Sequence, residues 1–489
     1  MKISSLEDAR LLLGGVGPIV GIGVTAFPRS GLIGLVPDYQ IVCISESKDL
    51  VEMRKRVKVV SLKGDLKGGA VGKLNSLALL EHVAVRDYLS NLEEEAGLFV
   101  YKSSERIEKV VDRLGFRLLS NRSAVRDMFE DKWKLREMGR AMGMPLIDGD
   151  QLLIDELDDK RFGEYQRLWG EKLVLQITDY SKGGGVGTFF VKNTEELGEF
   201  LGFVERRRLV GRDLRRVNVT RFIEGESASV TGCVTRYGVL TGVLQRQAVD
   251  IREVVGYKGR SGVWCGHDWG GRYAPSLQHK ATTLVRQIGE IMASKGYKGI
   301  YGVDLVVNRE TEEVVMIEIN SRYTGAFPVY SMMQQQAGEI PIDVWHLLEF
   351  LGVPYEMDFE EVQEGYWQVK QGAQLVLHNL KRAWVEVEGE VMAGVYSFNG
   401  EGIKYEREGC DYGDLRSDNE FVLTDGVPAR GEKLKPGARI GRAIFKRPVM
   451  VENKEELQPD VAEAMERLYV LYQLKRTKVV EEIESKLED

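Results

Sequence analysis

Long apolar runs are missing from this chain of 489 residues. Nowhere do about 18 apolar residues follow one another, which excludes a membrane-spanning helix. The opening stretch MKISSLEDARLLLGG places acidic residues ahead of a short apolar run. It lacks the n-region and h-region of a signal peptide, so a cytoplasmic protein without membrane association is expected. Cysteine is scarce: Cys43, Cys233, Cys265 and Cys410 lie far apart, and no pair has zinc-ligand or redox spacing. Reduced thiols are the expectation. Positive charge is not in excess either. A net charge of −8 argues against nucleic acid as the main partner, a local basic patch aside. A phosphate-binding loop of the Gly-x-x-x-x-Gly-Lys-Ser/Thr type is absent. GGVGPIVG departs from the dinucleotide fingerprint, with Pro18 where a helix should start, and reads as a strand-entry turn. No Ser-His-Asp or Cys-His arrangement stands out, so a covalent enzyme intermediate is not expected.

What is present is an ordinary globular composition, 43% hydrophobic and 29% charged, on a chain long enough for two or three domains. Up to about residue 125, strands (GPIVGIGV, YQIVCIS, GLFVYKS) alternate with helical stretches, among them VGKLNSLALLEHVAVRDYLSNL. This pattern predicts a parallel α/β region. DKWKLREMGRAMGMP (131–145) predicts an amphipathic helix ended by Gly143 and Pro145. Further on come KLVLQIT, a glycine-rich loop, RVNVTRFIEG and ASVTGCVTRYG. GYKGRSGVWCGHDWGG (256–271) reads as a long polar-aromatic loop, and YGVDLVV and EVVMIEINSR as paired strands. After residue 366 short strands predict a small antiparallel β-rich domain. The tail from about 458, with Leu468, Leu471 and Leu474, predicts a docking or oligomer helix. ERRRLVGRDLRRVNVTR (205–221) packs in seven arginines without aromatic interleaving and reads as a solvated turn.

Two features carry chemistry. The loop SKGGGVGT lies between two strands. Its glycines allow backbone N–H groups to approach a phosphate, although a plain hairpin tip gives the same pattern. Asp304 lies in an apolar strand, and Glu318, Asn320 and Arg322 alternate along and just beyond the next one. Alternation places them on one face. Two carboxylates and an amide suit Mg²⁺, and Arg322 beside them suits a phosphate or an oxyanion. A Glu–Arg pair on an edge strand is the alternative.

Taken in order, DKWKLREMGRAMGMP, LVLQITDYSKGGGVGTFFV, VTRFIEGESASV, YGVDLVV and IEINSR resemble the ATP-grasp superfamily. The stretch EINSRYTGAFPV and the β-rich region after it look most like its biotin carboxylase and carbamoyl-phosphate synthase branch. The resemblance covers about residues 1 to 450. It implies a fold of mixed α/β and α+β class. An N-terminal α/β domain (1–125) would precede a two-lobed antiparallel ATP-grasp core (126–365), a β-rich cap (366–457) and a C-terminal helix (458–489). It implies that Lys132 and Gln176 contact ATP, and that Lys182, Gly183, Gly184, Gly185 and Gly187 cover its phosphates. Thr220, Arg221 and Ile223 would form the hinge, the last two reading adenine through their backbone. Asp304, Glu318 and Asn320 would hold Mg²⁺, with Mn²⁺ as a substitute. Arg322, Lys182 and Arg246 would act on the reacting groups.

The departures matter. Many relatives carry a lysine where Gln176 stands, and an acidic residue where Thr220 stands. After Arg322 the sequence YTGAFPV has no carboxylate of the kind that handles bicarbonate, and no Ala-Met-Lys-Met site for biotin exists. The expectation is an ATP- and Mg²⁺-dependent ligase joining a small-molecule carboxylate to an amine through an acyl phosphate. The alternatives are a carboxylase-like or thiol ligase, and a nucleotide-binding regulatory protein. A homodimer is compatible with either. Arg252, Lys258, Arg260, His267 and Trp269 read equally as carboxylate-recognising groups or as a loop held by packed tryptophans.

Overall fold

The computed structural model describes residues 1–68, 74–92, 96–179, 187–256, 262–381, 383–400 and 402–477. Among these the strands form four sheets. The first consists of β1 (Ile19–Gly23), β2 (Tyr39–Cys43), β3 (Lys58–Ser61), β4 (Gly97–Val100) and β5 (Arg117–Leu118), ordered β3-β2-β1-β4-β5. Every pairing in it is parallel. Continuous apolar strands such as Ile19–Gly23 suit it because helices cover such a sheet on both faces. Gly17, at φ 77°, makes the strand-entry turn. The long helix predicted here is two: Ser76–Glu81 and Val83–Ser90. His82 takes extended backbone (ψ 130°) and its ring accepts the Ala84 N–H, so it caps the second helix instead of continuing the first.

The second sheet, order β6-β9-β7-β8, is antiparallel: β6 (Gly149–Leu153), β7 (Leu173–Ile177), β8 (Thr188–Val191) and β9 (Arg216–Arg221). Helices Asp159–Trp169 and Thr194–Leu209 cover one face of this lobe. The arginine run therefore begins inside the second helix rather than in a turn. The predicted helix at 131–145 spans Lys132–Met142, capped by the Asp131 side chain and stopped by Gly143 in the left-handed region.

The third sheet takes β10 (Glu226–Thr235), β11 (Gly238–Thr241), β12 (Gln245–Val249), β13 (Trp264–Asp268), β14 (Gly299–Asn308) and β15 (Glu313–Asn320). It continues into β16 (Ala373–His378), β18 (Gly394–Asn399), β19 (Gly402–Arg407), β20 (Glu420–Thr424) and β22 (Arg439–Phe445). Its order is β15-β14-β10-β12-β13-β16-β22-β20-β18-β19, with β11 on β10. The stretch read as a loop over 256–271 thus contains β13, and its pairing of His267 with Gln374 carries one sheet past the boundary expected at residue 366. The β-rich region is an extension of the core sheet, because the residues of β13 are buried and find their partners on β16. The small fourth sheet, β21-β17-β23, joins β17 (Val385–Val387), β21 (Lys433–Leu434) and β23 (Leu474–Arg476). The tail helix Pro459–Tyr472 packs on the same chain through Val461, Ala464, Met465, Leu468 and Tyr472, while Leu471 stays exposed. Among the described residues no helix is long and apolar enough to cross a membrane.

Candidate active site

A cavity of about 720 Å³ lies between the small antiparallel lobe and the large sheet. Alternation builds its walls. Val174 and Gln176 on β7, with Lys172 just before it, face it from one side; Ser227 and Ser229 on β10, and Gln245 and Gln247 on β12, from the other. The segment Arg221–Gly225 joins the two lobes along its edge.

The acidic floor is set by a bulge. Asp304 pairs with Glu318 but Leu305 pairs with Met316, leaving Ile317 as the extra residue. A bulge re-aims side chains next to it, and here it seats Glu318 beside Asp304. Asp304 accepts from Asn320 Nδ2 (2.9 Å) and Gln247 Nε2 (2.7 Å). Burial first, then the Glu318 charge, pushes its carboxyl up to about 7. Asn320 Oδ1 accepts from Arg322 Nη2 at 2.8 Å. Arg322 is held further by Glu130 (2.7 Å) and the Tyr323 carbonyl (3.1 Å), and lies over the Tyr101 ring. Burial opposes its charge, yet Tyr101 and Glu130 hold it above the ordinary arginine range. Asp304, Glu318, Asn320 and Arg322 therefore converge as the alternation implied.

Lys132 opens its helix with Nζ 3.0 Å from Glu318 Oε2. Gln176 contacts Thr188 Oγ1 at 3.4 Å, and both line the cavity. The β7–β8 pairing makes the hairpin, and Gly187 accepts the Ile177 N–H through its carbonyl at 2.9 Å. Lys182, Gly183, Gly184 and Gly185 lie outside the described residues, as do Lys258 and Arg260. In the hinge, Thr220, Arg221 and Ile223 all line the cavity. The Arg221 N–H is spent on the Asp148 carbonyl (2.9 Å) and its guanidinium on Glu313 (2.7 Å). It is Ile223 whose backbone lacks a hydrogen-bond partner among the described residues.

Arg246 departs from expectation. Its buried guanidinium binds Glu226 (2.9 Å) and the carbonyls of Val451 (2.9 Å) and Lys454 (2.6 Å), and it does not line the cavity. In β12 it is Gln245 and Gln247, its two neighbours, that face inward. His267 is a satisfied core histidine: its Nδ1 meets Gln374 at 3.1 Å, and burial lowers it to about 3. Trp269 is fully buried, and Arg252 sits on a short helix away from the cavity.

Sequence reading missed several wall residues. Lys172 stands four positions before Gln176, on the same face by alternation, with Nζ 3.5 Å from the Phe222 ring of the hinge. Arg136 lies one helical turn after Lys132 and donates to the Ile147 carbonyl at 2.7 Å. Beyond the acidic floor, Thr231 and Gln245 are 2% and 1% exposed. Their Oγ1 and Oε1, and Trp264 Nε1, have no hydrogen-bond partner among the described residues. Buried polar atoms left open at a cavity wall await a ligand or water. Glu455, from the C-terminal segment, also reaches this wall, and no sequence signal pointed to it.

Two antiparallel lobes closing over a cavity with an acidic floor and a cationic wall define a two-lobed α+β binding fold. Residues 130–326 match the family model of the ATP-grasp domain. That segment of the chain is an ATP-grasp domain. No curated protein sequence matches the chain. Among solved structures, it is similar to biotin carboxylase from Campylobacter jejuni in complex with an ATP analogue (12% identity, TM-score 0.60, covering 90% of this chain and 88% of that one). It is similar to the biotin carboxylase domain of Hydrogenobacter thermophilus 2-oxoglutarate carboxylase, solved with MgADP, ADP and bicarbonate (14%, 0.58, 88% and 86%). It is also similar to N5-carboxyaminoimidazole synthase from Aspergillus clavatus, solved with ADP and a ribonucleotide (13%, 0.50, 89% and 95%). These likenesses are of fold, and they extend across nearly the whole chain.

Proposed function

We propose that the chain is an ATP-dependent ligase that activates a carboxylate as an acyl phosphate and passes the acyl group to an amine, releasing ADP and phosphate. The observation that carries this reading is the convergence of Asp304, Glu318, Asn320 and Arg322 on the floor of the interlobe cavity. Two carboxylates beside an amide, whose oxygen here accepts from Arg322, make a donor set that suits Mg²⁺, and Asp304, Glu318 and Asn320 would hold it. When bound, it would offset the negative charge of the phosphates. Domain boundaries at residues 125 and 457 belong to the same reading, while the one expected at 365 falls within the continuous third sheet.

The chain's own groups account for the rest. The purine is assigned to the hinge, against Phe222 and the backbone of Ile223. Lys132, Gln176 and the loop 182–187 take the phosphates. Arg322, fixed by Glu130 and Asn320, orients the carboxylate for in-line attack on the γ-phosphorus and stabilises the oxyanion formed when the amine adds. The amine is assigned to the end lined by Thr231, Gln245 and Trp264, whose open hydrogen-bonding atoms suit a neutral polar group.

A carboxylase-like course, with bicarbonate as the carboxylate, is the second reading, favoured by the similarity to biotin carboxylases. Against it, the chain after Arg322 turns into the core, with Tyr323 and Phe327 buried and only Thr324 and Gly325 at the cavity. The test is a mass-spectrometric screen of carboxylate and amine mixtures with ATP and Mg²⁺. A product one water lighter than two inputs, with ADP, is expected. ADP release that requires bicarbonate favours the second reading, and no ADP with any mixture overturns both.

A further inference from the structure

The role of Arg246 leads to a residue far outside the segment that matches the family model. Arg246 Nη1 and Nη2 hold the carbonyls of Val451 and Lys454. The neighbouring strand of the same sheet supplies a second anchor. Asp268 on β13 accepts the N–H groups of Val449 (2.8 Å) and Met450 (2.9 Å) through one carboxylate oxygen. Within the segment, the Val451 N–H donates to the Glu456 carbonyl (2.9 Å) and the Gln458 N–H to the Val449 carbonyl (2.8 Å). Residues 449–458 thus form a closed loop riveted to the back of the cavity, and its tip carries Glu455 to the wall beside Ser227.

That position has a chemical meaning if the cavity holds ATP, so a role for Glu455 rests on the ATP reading. Ser229 pairs with Asp304 across the sheet. Ser227 lies two residues nearer the hinge, about 7 Å at strand rise. It therefore stands between the hinge, assigned to the purine, and the acidic floor, assigned beneath the phosphates. The sugar of a nucleotide spans that interval. The neighbouring acids are committed elsewhere: Glu226 to Arg246 and Arg309, and Asp250 to the backbone N–H groups of Gly262 (3.1 Å) and Val263 (2.8 Å). Among the described residues no lysine or arginine forms an ion pair with Glu455. A carboxylate with open acceptor sites beside a sugar is suited to take hydrogen bonds from its hydroxyls.

We propose that Glu455 binds the ribose hydroxyls of the nucleotide, so that the C-terminal segment is part of the nucleotide site. Arg246 and Asp268 are its positioning residues. The experiment is calorimetric titration of the full chain with ATP and with 2′-deoxy-ATP and 3′-deoxy-ATP in Mg²⁺, for wild type and Glu455→Gln, with circular dichroism confirming the fold of each. Wild type is expected to prefer ATP over at least one deoxynucleotide by about tenfold or more, a hydrogen bond to a charged acceptor. In Glu455→Gln that preference should shrink severalfold while deoxynucleotide affinity holds. Glu455→Ala should behave alike. Undiminished discrimination in both variants, with wild-type nucleotide binding intact, overturns this assignment alone. A wild type that binds none of the three nucleotides overturns it together with the ATP reading.

Discussion

Lys132 Nζ stands 3.0 Å from Glu318 Oε2, so the lysine assigned to phosphate is paired with a carboxylate assigned to metal. Each neutralises the other across the cavity. Replacing Glu318 by Gln removes one of two anionic donors and frees the lysine. The prediction is a fall of about 10²–10³ in the ATP-dependent rate, of the size seen on deleting one preorganised electrostatic group. Phosphate release at several Mg²⁺ concentrations measures it. An unchanged rate would discard the metal assignment.

Arg322 offers a test of geometry against charge. Its fork binds Glu130, Asn320 and the Tyr323 carbonyl at once, which a lysine cannot reproduce. Arg322→Lys is predicted to lower kcat about 100-fold while the KM for ATP changes little, because the lost interaction belongs to the reacting groups. Steady-state kinetics decide. A rise in KM alone, at constant kcat, would place Arg322 in nucleotide binding only.

Thr231 and Gln245 have open polar atoms at the end assigned to the amine. Thr231→Val and Gln245→Leu are each predicted to raise the KM for the amine about tenfold, the scale of one or two hydrogen bonds. The KM for ATP should not move. Should the ATP term shift instead, these residues belong to the nucleotide end.

Stability has its own pressure point in Asp425. Its carboxylate, fully buried, takes Arg442 Nη2 (2.9 Å), Arg439 Nη1 (2.9 Å) and the Thr25 hydroxyl (2.9 Å). Burial opposes its charge, and the two arginines hold the carboxyl below its ordinary range. The cluster ties the first domain to the extended sheet. Asp425→Ala leaves Arg442 buried without its counter-ion and is predicted to cost about 3–5 kcal/mol, visible as a lowered unfolding midpoint in urea. A midpoint within error of wild type would refute it.

The buried histidines set an acid limit. His346 Nδ1 accepts the Ile300 N–H (3.1 Å), and its Nε2 lies 3.0 Å from the Leu119 carbonyl, which fixes the neutral ring. Burial first, and Lys298 nearby, lower it from 6.5 to about 4. The unfolded chain therefore takes up this proton before the folded one. The stability that neutral His346 contributes is complete above about pH 6.5 and lost as the pH falls towards 4. Asp343, raised to about 7 by burial, works in the opposite sense. A comparison of variants isolates the histidine: the melting-temperature gap between wild type and His346→Asn should narrow from pH 7.5 to 4.5. A constant gap would rule this out.

Much of the molecule was legible along the chain. Continuous apolar strands gave the parallel sheet at residues 19–118, and Asp131 and Gly143 bounded their helix, because caps and strand burial are local properties. The pairing of Asp304 with Glu318 was legible as well, since two strands joined by a short turn have little choice of partner. Alternation after VVMI then put Asn320 and Arg322 on the same side.

Other features had no local signal. Nothing near Arg246 announces that its guanidinium turns from the cavity to Val451 and Lys454, some two hundred residues later. Nor does VENKEELQ reveal that Glu455 reaches a wall built by β10. The stretch 264–268 looked like a polar-aromatic loop because its His267 and Asp268 side chains find partners on β16 and at Val449 and Met450, more than a hundred residues downstream. Local sequence fixes propensity, alternation and capping, all of which act over a few residues. Which buried polar group meets which, and which distant segment completes a wall, depends on the requirement that every desolvated charge and N–H find a partner. Only the folded chain, taken whole, decides that.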